Sequence, residues 1–170
     1  MSVGLLIARL VLGLAMAAHG TQKLFGWFGG YGPQGTGGYL ESQGFRPGVL
    51  FAWALGLGEV GSGLLTALGL LGPVGPALMI SIMLVAAVVG HAGKGFFATG
   101  GGYELPVIYS AGALALAFSG VGALSLDALL GLERLWTPAA SWIAIAAGIV
   151  LAIVNLAVRR LPKPDTAVTA

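Results

Sequence analysis

The chain has 170 residues, of which 57% are hydrophobic and 8% charged, with a formal net charge of +2. A soluble domain carries about 25% charged residues, so this composition excludes a water-soluble surface and points to an all-α integral membrane protein. The absence of cysteine excludes disulfides, cysteine-ligated iron–sulfur clusters, covalent haem and thiol catalysis on this chain, and no basic cluster is long enough to track a nucleic-acid backbone.

A membrane-crossing helix needs about 20 apolar residues. Five runs qualify: about Val3–Leu24, Val49–Leu71, Val74–Gly93, Leu105–Ser119 and Ala139–Val158. The fourth is short and has room to extend through Leu124. Ala15-Met16-Ala17 resembles a small-x-small cleavage site, but Arg9 interrupts the apolar stretch and no basic segment precedes it, so the first run is read as a retained span. Gly72-Pro73-Val74-Gly75-Pro76 is a tight, uncharged breaker that makes the second and third runs an antiparallel pair. The expected fold is an antiparallel bundle of four core transmembrane helices plus a fifth, C-terminal one.

Between the first two runs lies a loop rich in glycine and rings: Phe25, Trp27, Phe28, Tyr31, Tyr39 and Phe45. Its composition suits the membrane interface or a pocket lid. Thr36 is expected to cap a short helix there that Gly44 ends. Gly30-Tyr31-Gly32-Pro33-Gln34-Gly35 matches G-x-G-x-x-G literally, but it follows a membrane helix and not a strand, so a dinucleotide site is rejected. The placement of basic residues sets orientation. Lys23, Arg46, Lys94, Arg159, Arg160 and Lys163 fall on one side, and Arg134, with Arg9 counted at most beside it, on the other, which predicts the amino terminus outside and the carboxyl terminus in the cytoplasm. The segment 161–170 is expected to be a disordered cytoplasmic tail. Asp127 and the Glu133-Arg134 pair are read as solvated or helix-capping groups.

Charged groups inside spans are costly and mark function by default. Glu59 sits about ten residues into the second run, followed by Ser62 and Thr66 on one polar stripe and flanked by Gly56 and Gly63. Either Arg9 pairs with it to hold helix register, or it handles protons or a ligand. His19 and His91 are expected at similar depth, with Lys23 and Lys94 close behind them and Glu104 opening the fourth run at that level. The candidate ligand-binding set is therefore His19, Lys23, Glu59, His91 and Glu104. Its chemistry stays open between a quinone or other headgroup site, bis-histidine haem ligation, a metal site of His19, His91 and Glu104, and interfacial histidines bonded to backbone and water.

The stretch His19-Gly20-Thr21-Gln22-Lys23-Leu24-Phe25-Gly26-Trp27-Phe28-Gly29-Gly30, with Gly56-Leu57-Gly58-Glu59, Gly90-His91-Ala92-Gly93-Lys94-Gly95-Phe96-Phe97, Gly101-Gly102-Tyr103-Glu104-Leu105 and Gly120-Val121-Gly122-Ala123-Leu124-Ser125-Leu126-Asp127, resembles the DoxX family of small bacterial membrane proteins. The resemblance implies a four-helix domain over residues 1–127, leaving 128–160 as an extra transmembrane segment. It implies a plasma-membrane subunit linked to oxidoreductase complexes, with no established catalytic residues. On this reading the chain supports quinone-linked redox chemistry through a headgroup pocket. The alternative is a non-catalytic accessory subunit of a larger membrane complex, and a small-solute or proton transporter is a third class. Expected partners are the lipid bilayer and other membrane or redox subunits, with a homo-oligomer also open.

Overall fold

The computed structural model describes residues 2–161, and all regular structure among them is helical. Seven α-helices follow one another: α1 Ser2–Phe25, α2 Gly32–Ser42, α3 Gly48–Leu68, α4 Val74–Ala86, α5 Glu104–Ser119, α6 Leu126–Leu130 and α7 Pro138–Ala157. Four segments are long and apolar enough to cross a membrane: Val3–Phe25, Gly48–Leu68, Val74–His91 and Pro138–Ala157. The chain is thus a multi-pass helical membrane protein. The 16 residues of α5 reach about 24 Å at 1.5 Å per residue, short of the hydrocarbon core. The tail expected over 161–170, Lys163 included, lies outside the described residues apart from Leu161.

Local signals set the helix ends. The α1 helix stops before Gly26 and α3 before Gly69, both in the left-handed region at φ 70° and 62°, where only glycine avoids a Cβ penalty. After Gly69 the Leu70 amide returns to the Leu65 carbonyl at 3.0 Å. The breaker after α3 behaves as expected, and α4 starts at Val74 with Pro76 in its first turn. It ends in one π turn, Ala87–His91. The α2 helix starts four residues before the expected cap: Pro33 lies in its first turn, and Thr36 is inside the helix. A proline preset for the first helical turn outweighs a threonine cap. The fourth run does not extend through Leu124, because Gly120 leaves the helix at φ 74°, ψ 175°.

Glycine decides how closely the first two long helices approach. Gly13 and Gly20 of α1 lie against Gly63 and Gly56 of α3, and a Cβ at Gly63 would sit 2.6 Å from the Ala17 amide nitrogen. Lipid tails are as apolar as leucine, so packing and not water exclusion drives such contacts. The core behind them contains Met16, Met79, Ile80, Tyr109, Ala113 and Ile145. The α7 helix packs on α4, with Gly148 against the Ala77 carbonyl.

Hydrogen bonds between distant segments define two ends of the bundle. At one end the Asp127 carboxylate accepts from the Leu71 and Gly72 amides at 3.0 and 2.7 Å and from the Trp136 ring nitrogen at 2.7 Å. Asp127 is fully buried. It is neither solvated nor a cap, contrary to expectation, because it ties the α3–α4 turn to the segment before α7. Ser125 caps α6 instead, accepting from the Ala128 amide at 3.1 Å. Glu133 and Arg134 are exposed as expected. At the other end the Arg160 amide donates to the Gly44 carbonyl at 2.8 Å. The α5 helix connects the two ends: Glu104 bonds the 96–98 loop, and Ser141 of α7 donates to the Ala117 carbonyl at 2.6 Å. Exposed rings of Phe25, Trp27, Phe28, Tyr31, Phe96 and Phe97 crowd the basic end, as an interfacial aromatic belt does.

Gly63→Ala and Gly61→Ala change helix propensity alike but differ in what the new methyl meets, since nothing lies within 4 Å of a Cβ at Gly61. The first is expected to lower stability by about 1–3 kcal/mol, the usual range for overpacking. The second is expected to leave stability unchanged or slightly raised. Thermal unfolding in detergent, followed by tryptophan fluorescence, checks the difference.

Candidate functional site

The last two turns of α1 carry His19, Gln22 and Lys23 toward α3. The Lys23 ammonium lies 2.7 Å from Glu59 Oε2, in a pair whose carboxylate side chain is 5% exposed and whose lysine is 23% exposed. Oε2 makes this close charge contact but no well-directed hydrogen bond. Lys23 also donates to the His19 carbonyl at 3.3 Å. The polar stripe expected below Glu59 is internally satisfied, Ser62 donating to the Glu59 carbonyl and Thr66 to the Ser62 carbonyl.

The expected Arg9–Glu59 pair does not form. The glycine register puts Glu59 level with about Ala17, so Arg9 is some eight residues, or about 12 Å, farther along α1. Helical side chains also lean toward the helix amino terminus. That lean carries Arg9 away from Glu59 and brings Lys23, near the other end of α1, back toward it. Arg9 donates to the Leu124 carbonyl and packs against Gly69. Its Nε and Nη1 are buried without a hydrogen-bond partner among the described residues.

Three of the five expected ligand-binding residues therefore share one cluster: His19, Lys23 and Glu59. His19 Nδ1 lies 3.2 Å from Gln22 Oε1, and its ring meets Tyr109 of α5 edge-on at 5.9 Å between centroids. Tyr109 was missed in the sequence, where it reads as one ring in an apolar run. Burial on the inner face of α5 is what admits it. His91 and Glu104 serve the 92–103 loop instead. His91 Nδ1 is 2.6 Å from the Gly101 carbonyl, and the Glu104 carboxylate accepts from the Ala98 amide at 2.7 Å. Lys94 donates to the Gly90 carbonyl at 2.7 Å, closing the carboxyl end of the π turn. Among the described residues no three His, Asp or Glu side chains converge as metal ligands.

A cavity of about 440 Å³ opens beside the cluster, lined by Gln22, Lys23, Gly30, Tyr31, Thr36 and Tyr39 among others. Gly30 presses against Gln22, where a Cβ would meet the Gln22 backbone, and Gln22 Nε2 donates to the Phe28 carbonyl at 3.2 Å. These contacts fold the glycine-rich loop back over the last turn of α1. The G-x-G-x-x-G residues form this wall and the start of α2. Tyr39 closes the far side, its hydroxyl 3.4 Å from the Val89 carbonyl in the π turn. The cavity is lined by polar side chains from α1 and α2 against aromatic and glycine walls.

A comparison with known proteins places a DoxX family model over residues 4–92. That range takes in α1 to α4 and, with them, Lys23, Glu59 and the cavity wall. No curated protein and no solved structure matches the chain.

Charge compensation at Glu59 is open to a double-mutant cycle. Lys23→Met strands a buried carboxylate and is expected to cost about 3 kcal/mol, the lower part of the range for a broken buried pair. Lys23→Met/Glu59→Gln removes both charges and is expected to recover much of that loss. Equal stability of the single Lys23→Met and double variants in thermal melts would refute the pairing.

Proposed function

The chain belongs to the DoxX family, and on that premise we propose that it is a plasma-membrane subunit supporting quinone-linked redox chemistry. In this reading the cavity beside Lys23 holds the quinone headgroup. The observation that carries it is the Lys23–Glu59 pair at 2.7 Å, its ammonium forming part of a cavity wall at the aromatic end of the bundle. Lys23 places a cationic donor toward a carbonyl oxygen, and its charge favours the added electron density of a reduced ring. Glu59 holds Lys23 in place and offers a proton-exchanging group one step behind it. Thr36 supplies a further hydroxyl, and Tyr39, which donates to the Val89 carbonyl, supplies an aromatic wall. His91 and Glu104 act on this site only indirectly, by shaping the loop beside the π turn. Bis-histidine haem has no support in the geometry, since His19 and His91 bond different neighbours.

A non-catalytic accessory role is the second reading. It is favoured by α7, which packs on α4 and presents Trp142, Ile143, Val150 and Ile153 outward. The two readings separate on the isolated protein. Titration with a short-chain ubiquinone, followed by quenching of tryptophan fluorescence, is expected to saturate with wild type. Affinity should fall tenfold or more in Glu59→Gln and in Lys23→Met/Glu59→Gln. Binding that is equal in all three, or absent throughout, rejects the headgroup site and leaves the accessory role.

Orientation is proposed from charge alone. Lys23, Arg46, Lys94, Arg159 and Arg160 belong to the end that carries the carboxyl terminus of α7, and that excess of basic residues puts this end in the cytoplasm. Alkaline phosphatase fused after Ala170 is expected to be inactive. Full activity of that fusion reverses the assignment.

A further inference from the structure

A second cavity lies on the opposite side of α2 from the first. It is a groove of about 300 Å³ between α3 and α7, floored by α4 and lined by Phe45, Leu55, Ile82, Val85, Leu151 and Asn155 among others. Ala54 and Leu151 on its rims are exposed, so it opens sideways toward the lipid tails. Its end at the basic side is closed by Phe45, which is 2% exposed.

Two features distinguish it from an ordinary apolar furrow. Asn155 puts a carboxamide into the groove, and that side chain bonds no described residue. Just past the end of α7, Arg159 lies over the Phe45 ring at 5.7 Å, with its Nε donating to the Gln43 carbonyl at 3.0 Å. Its two terminal nitrogens make no hydrogen bond to any described residue. The Arg160 amide is bonded to the Gly44 carbonyl, which holds the chain after α7 against this end of the groove with the Arg159 guanidinium over Phe45. Among the described residues the sole ion pair is Lys23–Glu59, so Arg159 has no acidic partner among them. On α2 the Glu41 carboxylate accepts from the Gly48 amide at 2.9 Å.

We propose that this groove binds one anionic glycerophospholipid, its acyl chain along α4, an ester carbonyl at Asn155 and its phosphate at Arg159. The layering matches the ligand: apolar slot, then a neutral donor, then a cation at the interface, in the order in which a phospholipid presents chain, ester and phosphate. Basic pockets between membrane helices bind anionic headgroups in this way. A prenyl tail also fits the slot, but an uncharged quinone ring offers the Arg159 guanidinium no anion. The inference does not rest on the headgroup site beside Lys23.

The test is native mass spectrometry of the full chain purified in detergent, with equal amounts of dioleoylphosphatidylglycerol and dioleoylphosphatidylcholine added. Wild type is expected to retain one phosphatidylglycerol with at least tenfold preference over phosphatidylcholine. Arg159→Gln is expected to lower that preference about tenfold, and Arg134→Gln, at the far end, to leave it unchanged. Gly58→Leu should abolish retention of either lipid, since a Cβ at Gly58 meets only Ile82 Cδ1, at 3.5 Å, and the rest of the side chain fills the groove. No retention by wild type, equal retention of the two lipids, or displacement of the bound lipid by ubiquinone overturns the proposal. The wild-type comparison decides without any variant.

Discussion

The close approach of α1 and α3, glycine against glycine at Gly13–Gly63 and Gly20–Gly56, is the contact on which the polar end of the bundle depends. In a bilayer the hydrophobic effect gives little drive for one helix to seek another, so van der Waals contact between backbones must supply the association. Glycine permits that contact, and the contact in turn sets which residues face each other. A shift of one turn would carry Lys23 about 5 Å along Glu59. The pair would open, and a carboxylate would be left alone in hydrocarbon.

The two basic side chains of α1 show how direction along a helix matters as much as spacing. Arg9 and Lys23 both lean toward the amino terminus. Near the start of the helix that lean takes Arg9 to the bundle end, where it meets the Leu124 carbonyl. In the last turns it takes Lys23 inward to Glu59. One ion pair therefore sits under the aromatic belt, and a guanidinium is left at the opposite end beside the segment that Asp127 anchors. Asp127 satisfies its own buried oxygens with three donors from two separated segments, with the Arg9 guanidinium near enough to act on its charge.

The α2 helix lies between two cavities of different chemistry. Tyr39 faces the polar one and Leu40 the apolar one, neighbours on a short helix whose two faces look in different directions. The interfacial helix thus separates a donor-lined chamber beside α1 from a lipid-facing groove beside α7. The first lies at the end of the molecule where basic residues and rings concentrate, and the second runs from that end along the middle of α3, α4 and α7.

Composition alone determined that this chain enters a membrane, because too few charges exist to clothe a soluble surface. The apolar runs placed the long helices to within a few residues, since hydrocarbon leaves no other way to satisfy the backbone. Costly residues such as His19 and Glu59 were visible as anomalies for the same reason. What only the tertiary structure decided was who meets whom. Glu59 pairs with Lys23 and not Arg9, Tyr109 joins the cluster from a different helix, and His91 and Glu104 turn to their own loop. Spacing along a chain records which face of a helix a residue occupies. It does not record the register and lean between helices, and those come from glycine contacts and side-chain direction in three dimensions.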